Sequence, residues 1–323
     1  MIPRRQIVGL VALAALSPFL PGCDAAPIPL SIASHPWPGY ELIFLARREG
    51  WLADADIRLI EVASATESMR ALTEGRVLGA TLTLDEVLRV RAAGLDDLTV
   101  VLVFDVSAGA DMVVARPDIR ALSDLTGRRI GFERTALGAL MLDRLLNAAN
   151  LPNDAVETVP LTIDAQLAAW REGRVDAMIT YQPTAKTLLA EGAVPLFDSR
   201  ALPELIFDVL AVRAEAMARH AARLRALIAG HFRGLNHWRR NPVDAGYRMA
   251  GRLGVPGHVV TDLFRGLALP NLDANQRLLR AESGGILVAA RILSTIMVGH
   301  GLLTGPPALD GLVRHEFLPQ SVS

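Results

Sequence analysis

The stretch Leu98–Arg116, which reads LTVVLVFDVSAGADMVVAR, decides how the rest of the chain is interpreted. Two apolar, β-branched runs, Leu98–Phe104 and Met112–Ala115, flank a polar segment with two carboxylates, a hydroxyl and a glycine in seven residues. Each apolar run predicts a buried strand. Carboxylates between core strands are costly unless they are solvated, paired or used for binding. We interpret the stretch as a crossing between two lobes whose polar residues face a cleft; a solvated loop joining two strands is the alternative.

Length and composition place the chain among globular proteins. Its 323 residues suit one or two domains and are enough to bury a large core. Hydrophobic residues make up 51% of the chain and no long low-complexity tract occurs, so a folded protein is expected. The net charge of −1 argues against nucleic acid as a partner.

The N-terminus has the features of an export signal. Arg4-Arg5 precedes an apolar run, Ile7–Leu20, that is too short and too close to the terminus for an ordinary membrane-spanning helix. The run ends in Leu20-Pro21-Gly22-Cys23, which resembles a bacterial lipoprotein processing site, and Cys23 is the only cysteine. We expect residues 1–22 to be a signal peptide and Cys23 to be lipidated, tethering the mature chain to a membrane. An ordinary signal peptide with a chance cysteine is the alternative.

The residues of common enzymatic chemistry are missing or badly spaced. With Cys23 used as an anchor, no thiol remains for catalysis, a disulfide or a metal. None of the seven histidines forms a pair spaced for zinc on one helix face, and the motifs HExxH, GxSxG and the P-loop do not occur. The sequence therefore predicts neither an enzyme nor a cofactor nor a metal site.

Strands and helices are predicted to alternate on both sides of the opening stretch. Three strands precede it, over residues 30–33, 57–62 and 77–82, and four follow it, over 129–132, 156–160, 175–180 and 194–197. Such alternation is typical of parallel βα units. Leu205–Val212, a second long apolar run interrupted by Asp208, predicts a second crossing. We therefore expect an α/β fold with two lobes and two crossings.

The chain after residue 215 is predicted to be helical, because apolar residues recur at spacings of three and four, as in Leu224, Leu227 and Ile228. Helices are predicted over residues 216–239, 243–253, 258–267, 274–287 and 289–300, with Gly and Pro between them. These helices are expected to pad the first lobe. We assign residues 24–107 and 213–323 to lobe 1 and residues 108–212 to lobe 2.

Ligands in open α/β sheets bind beyond the carboxyl ends of the strands, and this rule selects the candidate ligand-binding residues. They are polar or aromatic side chains that follow a predicted strand or lie in a crossing: Trp37, Tyr40, Ser64, Thr83, Asp85, Asp105, Ser107, Asp111, Thr135, Tyr181 and Asp208. The aromatic candidates have the alternative of packing beneath loops. The hydroxyl candidates Ser64 and Thr83 have the alternative of only capping helices.

The aspartates of the two crossings need cations or hydrogen-bond donors if they face a cleft. Pairing of Asp105, Asp111 and Asp208 with arginines, which would brace the hinge, is the alternative. Helix N-termini such as the one at Thr135 attract anions. The combination of carboxylates with such an N-terminus favours a zwitterionic ligand.

Several motifs, taken in their order and spacing, resemble the nitrate/sulfonate/taurine-type substrate-binding proteins of ABC importers, a group that includes the thiamine-precursor binding proteins. The motifs are Pro38-Gly-Tyr-Glu41, Leu45-Ala-Arg-Arg-Glu-Gly50, Thr83-Leu-Asp-Glu86, Asp105-Val-Ser-Ala-Gly-Ala-Asp111, Asp124-Leu-Thr-Gly-Arg-Arg-Ile-Gly131, Gly173-Arg-Val-Asp-Ala177, Thr180-Tyr-Gln-Pro183 and Phe197-Asp-Ser199. The resemblance spans about residues 30–300. It implies a two-lobed periplasmic-binding-protein type II-like fold, in which each lobe is a mainly parallel sheet flanked by helices, with two hinge crossings and a helical C-terminal region. Gln182 stands where relatives often have glutamate.

The resemblance also implies a function. It predicts the solute-binding component of an ABC importer, which captures a small polar or zwitterionic solute (a sulfonate, taurine, nitrate or a related nitrogen or sulfur compound) and delivers it to a permease and its ATPase. Such a protein is expected in the periplasm as a lipid-anchored monomer. The alternatives are an enzyme on the same fold, like the pyrimidine-synthesising relatives, and a ligand-sensing partner of a membrane receptor.

Overall fold

The two apolar runs of the opening stretch form strands in two different sheets. The computed structural model describes residues 28–53 and 56–321. The predicted signal peptide, residues 1–22, and Cys23 lie outside these ranges. Within them, no helix combines the length and the apolar character needed to cross a membrane.

The described residues contain eleven strands, and most of them match the predicted ones within two residues. They are β1 (Leu30–Ser34), β2 (Ile57–Glu61), β3 (Gly79–Thr83), β4 (Thr99–Ser107), β5 (Asp111–Ala115), β6 (Arg129–Phe132), β7 (Glu157–Pro160), β8 (Ala177–Tyr181), β9 (Val194–Asp198), β10 (Phe207–Val212) and β11 (Leu267–Ala268). The predicted alternation of strands with helices is therefore present on both sides of the opening stretch.

The two sheets share one plan. The first sheet has the order β11-β4-β10-β3-β1-β2, and the second has the order β7-β6-β8-β5-β9. β1 runs parallel to β2 and β3, and β6 runs parallel to β7 and β8. The strand that arrives from the other sheet, β10 in the first and β5 in the second, is antiparallel to both of its neighbours. Each sheet is therefore mixed rather than mainly parallel.

The second crossing lies before the apolar run that predicted it. The chain leaves the second sheet at the end of β9 and enters the first sheet at Phe207, where β10 pairs with β3 and β4. The predicted boundary placed residues 108–212 together in lobe 2, whereas strand pairing places residues 207–212 in the first sheet. All six residues of β10 are buried, as expected of a central strand, so the long apolar run is the strand itself and not the link.

Twelve helices cover the sheets in the described residues. They are α1 (Glu41–Arg48), α2 (Ala65–Thr73), α3 (Leu84–Ala92), α4 (Ala136–Ala149), α5 (Ile163–Arg171), α6 (Thr184–Ala190), α7 (Ala214–Arg219), α8 (Ala221–Arg240), α9 (Pro242–Leu253), α10 (Gly257–Leu263), α11 (Leu272–Leu278) and α12 (Gly285–Gly299). The predicted cap of α2 is present, since Ser64 accepts a hydrogen bond from the Glu67 amide. Thr135 also caps α4, because it accepts a hydrogen bond from the Gly138 amide.

The C-terminal region is mostly helical but differs from the prediction in three places. The helix predicted over 216–239 divides at His220. The one predicted over 258–267 ends at Leu263, and β11 follows as an edge strand on β4. The one predicted over 274–287 ends at Leu278, and α12 begins only at Gly285, after the chain at Gly284 has come close to the end of α11. A Cβ at Gly284 would lie 2.3 Å from the carbonyl oxygen of Leu278, so only glycine fits there.

One apolar cluster joins the two sheets. Val87 and Leu88 of α3 pack in the same cluster as Leu140 and Met141 of α4, and all four are almost completely buried. α3 begins directly after β3, and α4 begins shortly after β6. Because each helix starts where a strand ends, this packing sets the carboxyl edges of the two sheets against each other.

Candidate ligand-binding cleft

A cavity of about 20 Å³ lies where the carboxyl edges of the two sheets meet. Six predicted site residues line it: Trp37, Thr83, Asp111, Thr135, Tyr181 and Asp208. Five residues that were not predicted line it as well: His35, Ala65, Glu86, Glu133 and Leu137. The space is about that of one water molecule, so the side chains of both sheets close tightly around it.

The strands that return from the other sheet explain how two aspartates reach this cavity. Asp208 is the second residue of β10 and Asp111 is the first residue of β5. Because both strands run against the parallel strands, their amino ends lie at the edge where the parallel strands have their carboxyl ends. Asp208 is therefore paired with Thr83 at the end of β3, and Asp111 with Tyr181 at the end of β8.

Asp105 and Tyr40, two of the predicted site residues, do not line the cavity but hold lining residues in place. The indole nitrogen of Trp37 donates a hydrogen bond to Oδ2 of Asp105 at 3.0 Å. The hydroxyl of Tyr40 donates one to Oδ1 of Asp208. Gly39 makes room for this arrangement, because a Cβ there would lie 1.7 Å from the same Oδ2 of Asp105. Asp105 and Tyr40 therefore orient the aromatic and acidic groups that face the cavity.

Ser107 connects the two crossings. Its hydroxyl lies 2.8 Å from the Ser199 hydroxyl and accepts a hydrogen bond from the Asp111 amide. The Ser199 hydroxyl also accepts one from the Gly109 amide at 2.7 Å. Ser107 does not line the cavity, so it fits the role of bracing the hinge.

Ser64 and Asp85 lie outside the cavity lining. Ser64 caps α2, as the alternative for this residue proposed. Asp85 is buried in the first turn of α3, and neither of its carboxylate oxygens has a hydrogen-bond partner among the described residues. Gln182 also lies outside the lining, and its side chain accepts a hydrogen bond from the Lys186 amide in α6.

Buried carboxylates dominate the electrostatics of the cavity. Asp111 and Asp208 are 3% exposed, and each has one oxygen without a hydrogen-bond partner in the described part of the chain. Glu133 is 6% exposed and also has one such oxygen. The predicted alternative, pairing with arginine, does not occur for Asp111 or Asp208 among the described residues.

Burial shifts the pKa of these groups because it penalises their charged forms. It raises the pKa of Asp111 to about 7, with a further contribution from the charge of Asp85. It raises the pKa of Asp208 well above the ordinary range, and the neighbouring carboxylate of Asp105 raises it further. Burial, together with the charge of Arg252, lowers the pKa of His35 to about 3, so the imidazole is neutral.

Aromatic rings form the walls of the cavity. The rings of Trp37 and Tyr181 lie 5.6 Å apart at 79°, and those of His35 and Tyr181 lie 6.1 Å apart at 62°. Tyr40 meets His35 edge to face from behind, with a centroid distance of 5.3 Å. These edge-to-face contacts are favourable aromatic arrangements and hold the rings together as one cluster.

Polar contacts join the two lobes at several points of the described residues, among them a 3.0 Å contact between the imidazole of His300, after α12, and the carboxylate of Asp143 in α4. The carboxylate of Glu133, after β6, accepts hydrogen bonds from the amide and the hydroxyl of Thr66 at the start of α2. Arg89 of α3 donates one to the carbonyl oxygen of Arg134 at 2.8 Å. Lys186 of α6 forms an ion pair with Asp262 of α10 at 3.1 Å.

The sequence features that could have identified the unpredicted lining residues differ in strength. His35 and Glu133 each follow the last residue of a strand, so the rule that selected Trp37 and Thr135 also applies to them. Glu86 caps α3, since its carboxylate accepts a hydrogen bond from the Thr83 amide at 2.9 Å. Its position in the cavity lining depends on how α3 packs against the second lobe, and no local sequence pattern encodes that packing.

Solved structures of low sequence identity share this fold. The ligand-binding component of an ABC-type import system from Staphylococcus aureus, solved with zinc bound, matches with a TM-score of 0.74 and 16% identity over 89% of this chain and 97% of that one. The periplasmic aliphatic sulphonate binding protein SsuA from Escherichia coli matches with a TM-score of 0.71 and 16% identity over 92% of this chain and 95% of that one. The desulfurization enzyme DSZB matches with a TM-score of 0.61 and 21% identity over 89% of this chain and 97% of that one. These likenesses confirm the predicted two-lobed periplasmic-binding-protein fold.

Sequence comparison identifies the family. A comparison with curated protein sequences finds no match. The family model described as NMT1/THI5 like matches residues 37–245, well over half of the chain. This range contains both crossings and every residue that lines the cavity except His35. The predicted resemblance is thereby confirmed, and the chain belongs to the NMT1/THI5-like family.

Proposed function

We propose that the chain is the solute-binding component of an ABC importer, which captures a small polar solute between its two lobes. One observation carries this proposal: buried polar atoms without partners, from both sheets, converge on a single cavity at the join. Unpaired buried polar groups are costly, so a site of this kind is maintained for a ligand that completes its hydrogen bonds. Family membership and the shared fold of the import-system proteins support the same function.

The arrangement of the lobes supports capture by closure. The two chain crossings provide a hinge, with the hydroxyls of Ser107 and Ser199 in contact between them. Glu133, which lines the cavity, accepts a hydrogen bond from the Thr66 amide of the other lobe at 2.9 Å. A ligand that contacts residues of both lobes stabilises the closed form over the open one, because only the closed form offers all of its contacts.

The proposed partners follow from this function. The closed protein presents its solute to a membrane permease that is driven by an ATPase. We also propose that the chain works as a monomer in the periplasm, tethered through a lipid on Cys23. The export signal in residues 1–23 supports this location, as does the periplasmic location of the Escherichia coli sulphonate-binding protein with the same fold.

The charge of the proposed solute differs from the sequence-based expectation. A sulfonate or a nitrate needs positive charge or hydrogen-bond donors in its site. No lysine or arginine is among the residues that line the cavity, whereas Glu86, Asp111, Glu133 and Asp208 are. We therefore do not carry sulfonate and nitrate anions forward as the proposed solute.

A thermal-shift screen of the purified chain from residue 24 onward tests the function. The panel contains sulfonates, amino-sulfonates, nitrate, bicarbonate, amines, polyamines and pyrimidines. A solute at 100 times its Kd is expected to raise Tm by about 4 °C for a chain of this length. Small-angle scattering with the same solute should show a smaller radius of gyration. Failure of every compound in the panel to raise Tm would contradict the proposal.

An enzyme on the same fold is the second candidate, because the desulfurization enzyme DSZB shares the fold. The residues that line the cavity offer carboxylates, a tyrosine and a histidine but no thiol. Formation of a product from a bound solute by the purified chain alone, without a permease, would favour the enzyme. A ligand-sensing partner of a membrane receptor is the third candidate, and co-purification with a receptor in place of a permease distinguishes it.

A further inference from the structure

Resting on the proposed function, we propose that the cleft selects a small organic cation, a protonated amine or an amidinium, whose charge is neutralised by carboxylates from both lobes. The first lobe contributes Glu86 and Asp208, and the second contributes Asp111 and Glu133. All four are more than nine-tenths buried. A cation between them therefore has acidic groups on both sides, and an anion has none of the opposite charge.

Most of the unpartnered polar atoms at the cavity are carboxylate oxygens. The unpartnered atoms at the cavity are the hydroxyls of Thr83 and Tyr181, which can donate or accept, and one carboxylate oxygen each of Asp111, Glu133 and Asp208. The carboxylate oxygens only accept hydrogen bonds when the group is ionised. An ammonium group offers three donors and no acceptor, and an amidinium offers several donors in one plane. A sulfonate or a nitrate offers only acceptors and leaves the three carboxylate oxygens without partners.

The aromatic walls are suited to the same ligand. A cation over the face of tryptophan or tyrosine is attracted by the negative charge of the ring face. Trp37 and Tyr181 stand nearly perpendicular to each other at the cavity, so one presents its face where the other presents its edge. The indole nitrogen of Trp37 is already bonded to Asp105, so this side chain contributes ring surface rather than a donor.

The geometry favours an organic cation over a metal ion. In the described parts of the chain, no group of three or more His, Cys, Asp or Glu side chains converges closely enough to hold a metal. The carboxylates are instead spread around a cavity with aromatic walls and the apolar side chains of Ala65 and Leu137. Spread acceptors combined with apolar surface match a ligand with a charged head and a carbon skeleton. The lobes have to move apart to admit such a ligand, because the present space holds about one water molecule.

Proton release on binding follows from the burial of these carboxylates. The titratable groups around Asp111 and Asp208 are His35, Tyr40, Asp85, Glu86, Asp105, Glu133 and Tyr181. Burial holds the pKa of Asp111 near 7 and raises that of Asp208 well above its ordinary range, so protons occupy part of the site at neutral pH. A bound cation favours the ionised carboxylates and displaces those protons. Affinity should therefore rise as the pH increases from 6 to 8, for as long as the ligand remains protonated.

Isothermal titration calorimetry with the purified chain from residue 24 onward tests the inference. The cation probes are ethylamine, putrescine, choline and benzamidine, and the anion probes are ethanesulfonate, benzenesulfonate and nitrate. Taurine, which combines an amine with a sulfonate, is titrated as the mixed case. We expect at least one cation probe to bind, more tightly at pH 8 than at pH 6, with protons released to the buffer. The anion probes should not bind.

Three variants locate the binding. Asp208→Asn and Asp111→Asn each keep the size of the side chain and remove one charge, and each should weaken cation binding about tenfold or more. Asp154→Asn removes a charge from an exposed residue far from the cavity in sequence and should leave the affinity unchanged. If Asp208→Asn does not fold, Asp111→Asn decides alone, since the two residues lie in different sheets.

The outcomes separate this inference from the proposed function. Binding of ethanesulfonate or nitrate without binding of any cation overturns the cation inference and leaves the solute-binding function standing. Binding of Zn²⁺ or Mg²⁺ that depends on Asp111 and Asp208, without an organic cation, overturns it as well. Absence of binding by every cation probe also counts against it. Only the failure of the whole panel, anions and taurine included, contradicts both proposals.

Discussion

Asp105 and Asp208 lie directly opposite each other on β4 and β10, and each accepts a hydrogen bond from an aromatic side chain in the segment after β1. Like charges on paired strands repel each other. Trp37 and Tyr40 offset this repulsion, because each donates to one of the two carboxylates. The pair therefore ties the position of the aromatic wall to the ionisation of the acidic groups behind it.

Replacing Trp37 tests this connection. Trp37→Phe keeps an aromatic ring but removes the indole donor, which leaves the buried carboxylate of Asp105 without a partner. We expect the free energy of unfolding to fall by about 1–3 kcal/mol, measured by urea denaturation at pH 8. Trp51→Phe, at a half-buried tryptophan with no hydrogen bond to a carboxylate among the described residues, is the control. Equal losses in both variants would contradict the role of the hydrogen bond.

Gly39 offers a second test of the same connection. A methyl group at this position would lie 1.7 Å from Oδ2 of Asp105 and 3.2 Å from Nε1 of Trp37, so the two side chains must separate. We expect Gly39→Ala to lower the free energy of unfolding by about 1–3 kcal/mol. The control is Gly251→Ala in α9, where nothing lies within 4 Å of the added Cβ. That change should raise stability by about 0.5–1 kcal/mol, because alanine favours the helix. A stable Gly39→Ala variant with unchanged ligand affinity would count against the geometry.

The strands were more predictable than the site. The rule that ligands bind at the carboxyl ends of strands selected Trp37, Thr83 and Tyr181 because each follows or ends a parallel strand, which is a local feature. It selected Asp208 only as an interruption in an apolar run. Its position opposite Asp105 depends on the register of an antiparallel pair whose members are about a hundred residues apart. No local pattern encodes such a register.

The acidic character of the cavity could also not be predicted from the sequence. The chain is rich in arginine, so pairing of the crossing aspartates with arginines was a reasonable alternative. The arginines near the join point elsewhere: Arg89 donates to a carbonyl oxygen, and Arg134 is exposed. Whether a charge is neutralised depends on which side chains meet across the two lobes. Tertiary packing decides that, and composition does not.

The pH dependence of stability should reflect Asp111. Burial raises its pKa from 3.8 to about 7 in the folded chain. Below about pH 4 the carboxyl group is protonated in both the folded and the unfolded chain, and its contribution to stability is fully present. As the pH rises from 4 to 7, the unfolded chain ionises while the folded chain keeps its proton, so stability is lost across that range.

Asp111→Asn should therefore flatten the stability profile between pH 4 and pH 7 relative to the parent chain. Urea denaturation at several pH values in this range, without ligand, measures the difference. Asp154→Asn serves as the control, since Asp154 is exposed and its removal should leave the slope unchanged. A parallel profile for Asp111→Asn and the parent chain would show that Asp111 does not titrate as its burial predicts.

Glu133 should couple the ligand to closure of the lobes. One of its oxygens accepts hydrogen bonds from the amide and the hydroxyl of Thr66 across the join, while the other has no partner in the described residues. A single side chain is thus shared between the closed interface and the cavity. Glu133→Gln keeps its shape but loses the charge, so both contacts weaken together.

We expect Glu133→Gln to lower ligand affinity about tenfold and to leave the ligand-bound protein less closed in small-angle scattering. Thr66→Val removes the hydroxyl donor but keeps the amide donor, so it should reduce closure less. If the two contacts act through the same interface, the loss of affinity in the double variant should be smaller than the sum of the losses in the two single variants. Glu172→Gln, at an exposed glutamate that pairs only with Arg174 among the described residues, controls for the loss of charge. A Glu133→Gln variant that binds and closes like Glu172→Gln would show that the contact with Thr66 is a surface interaction without a role in closure.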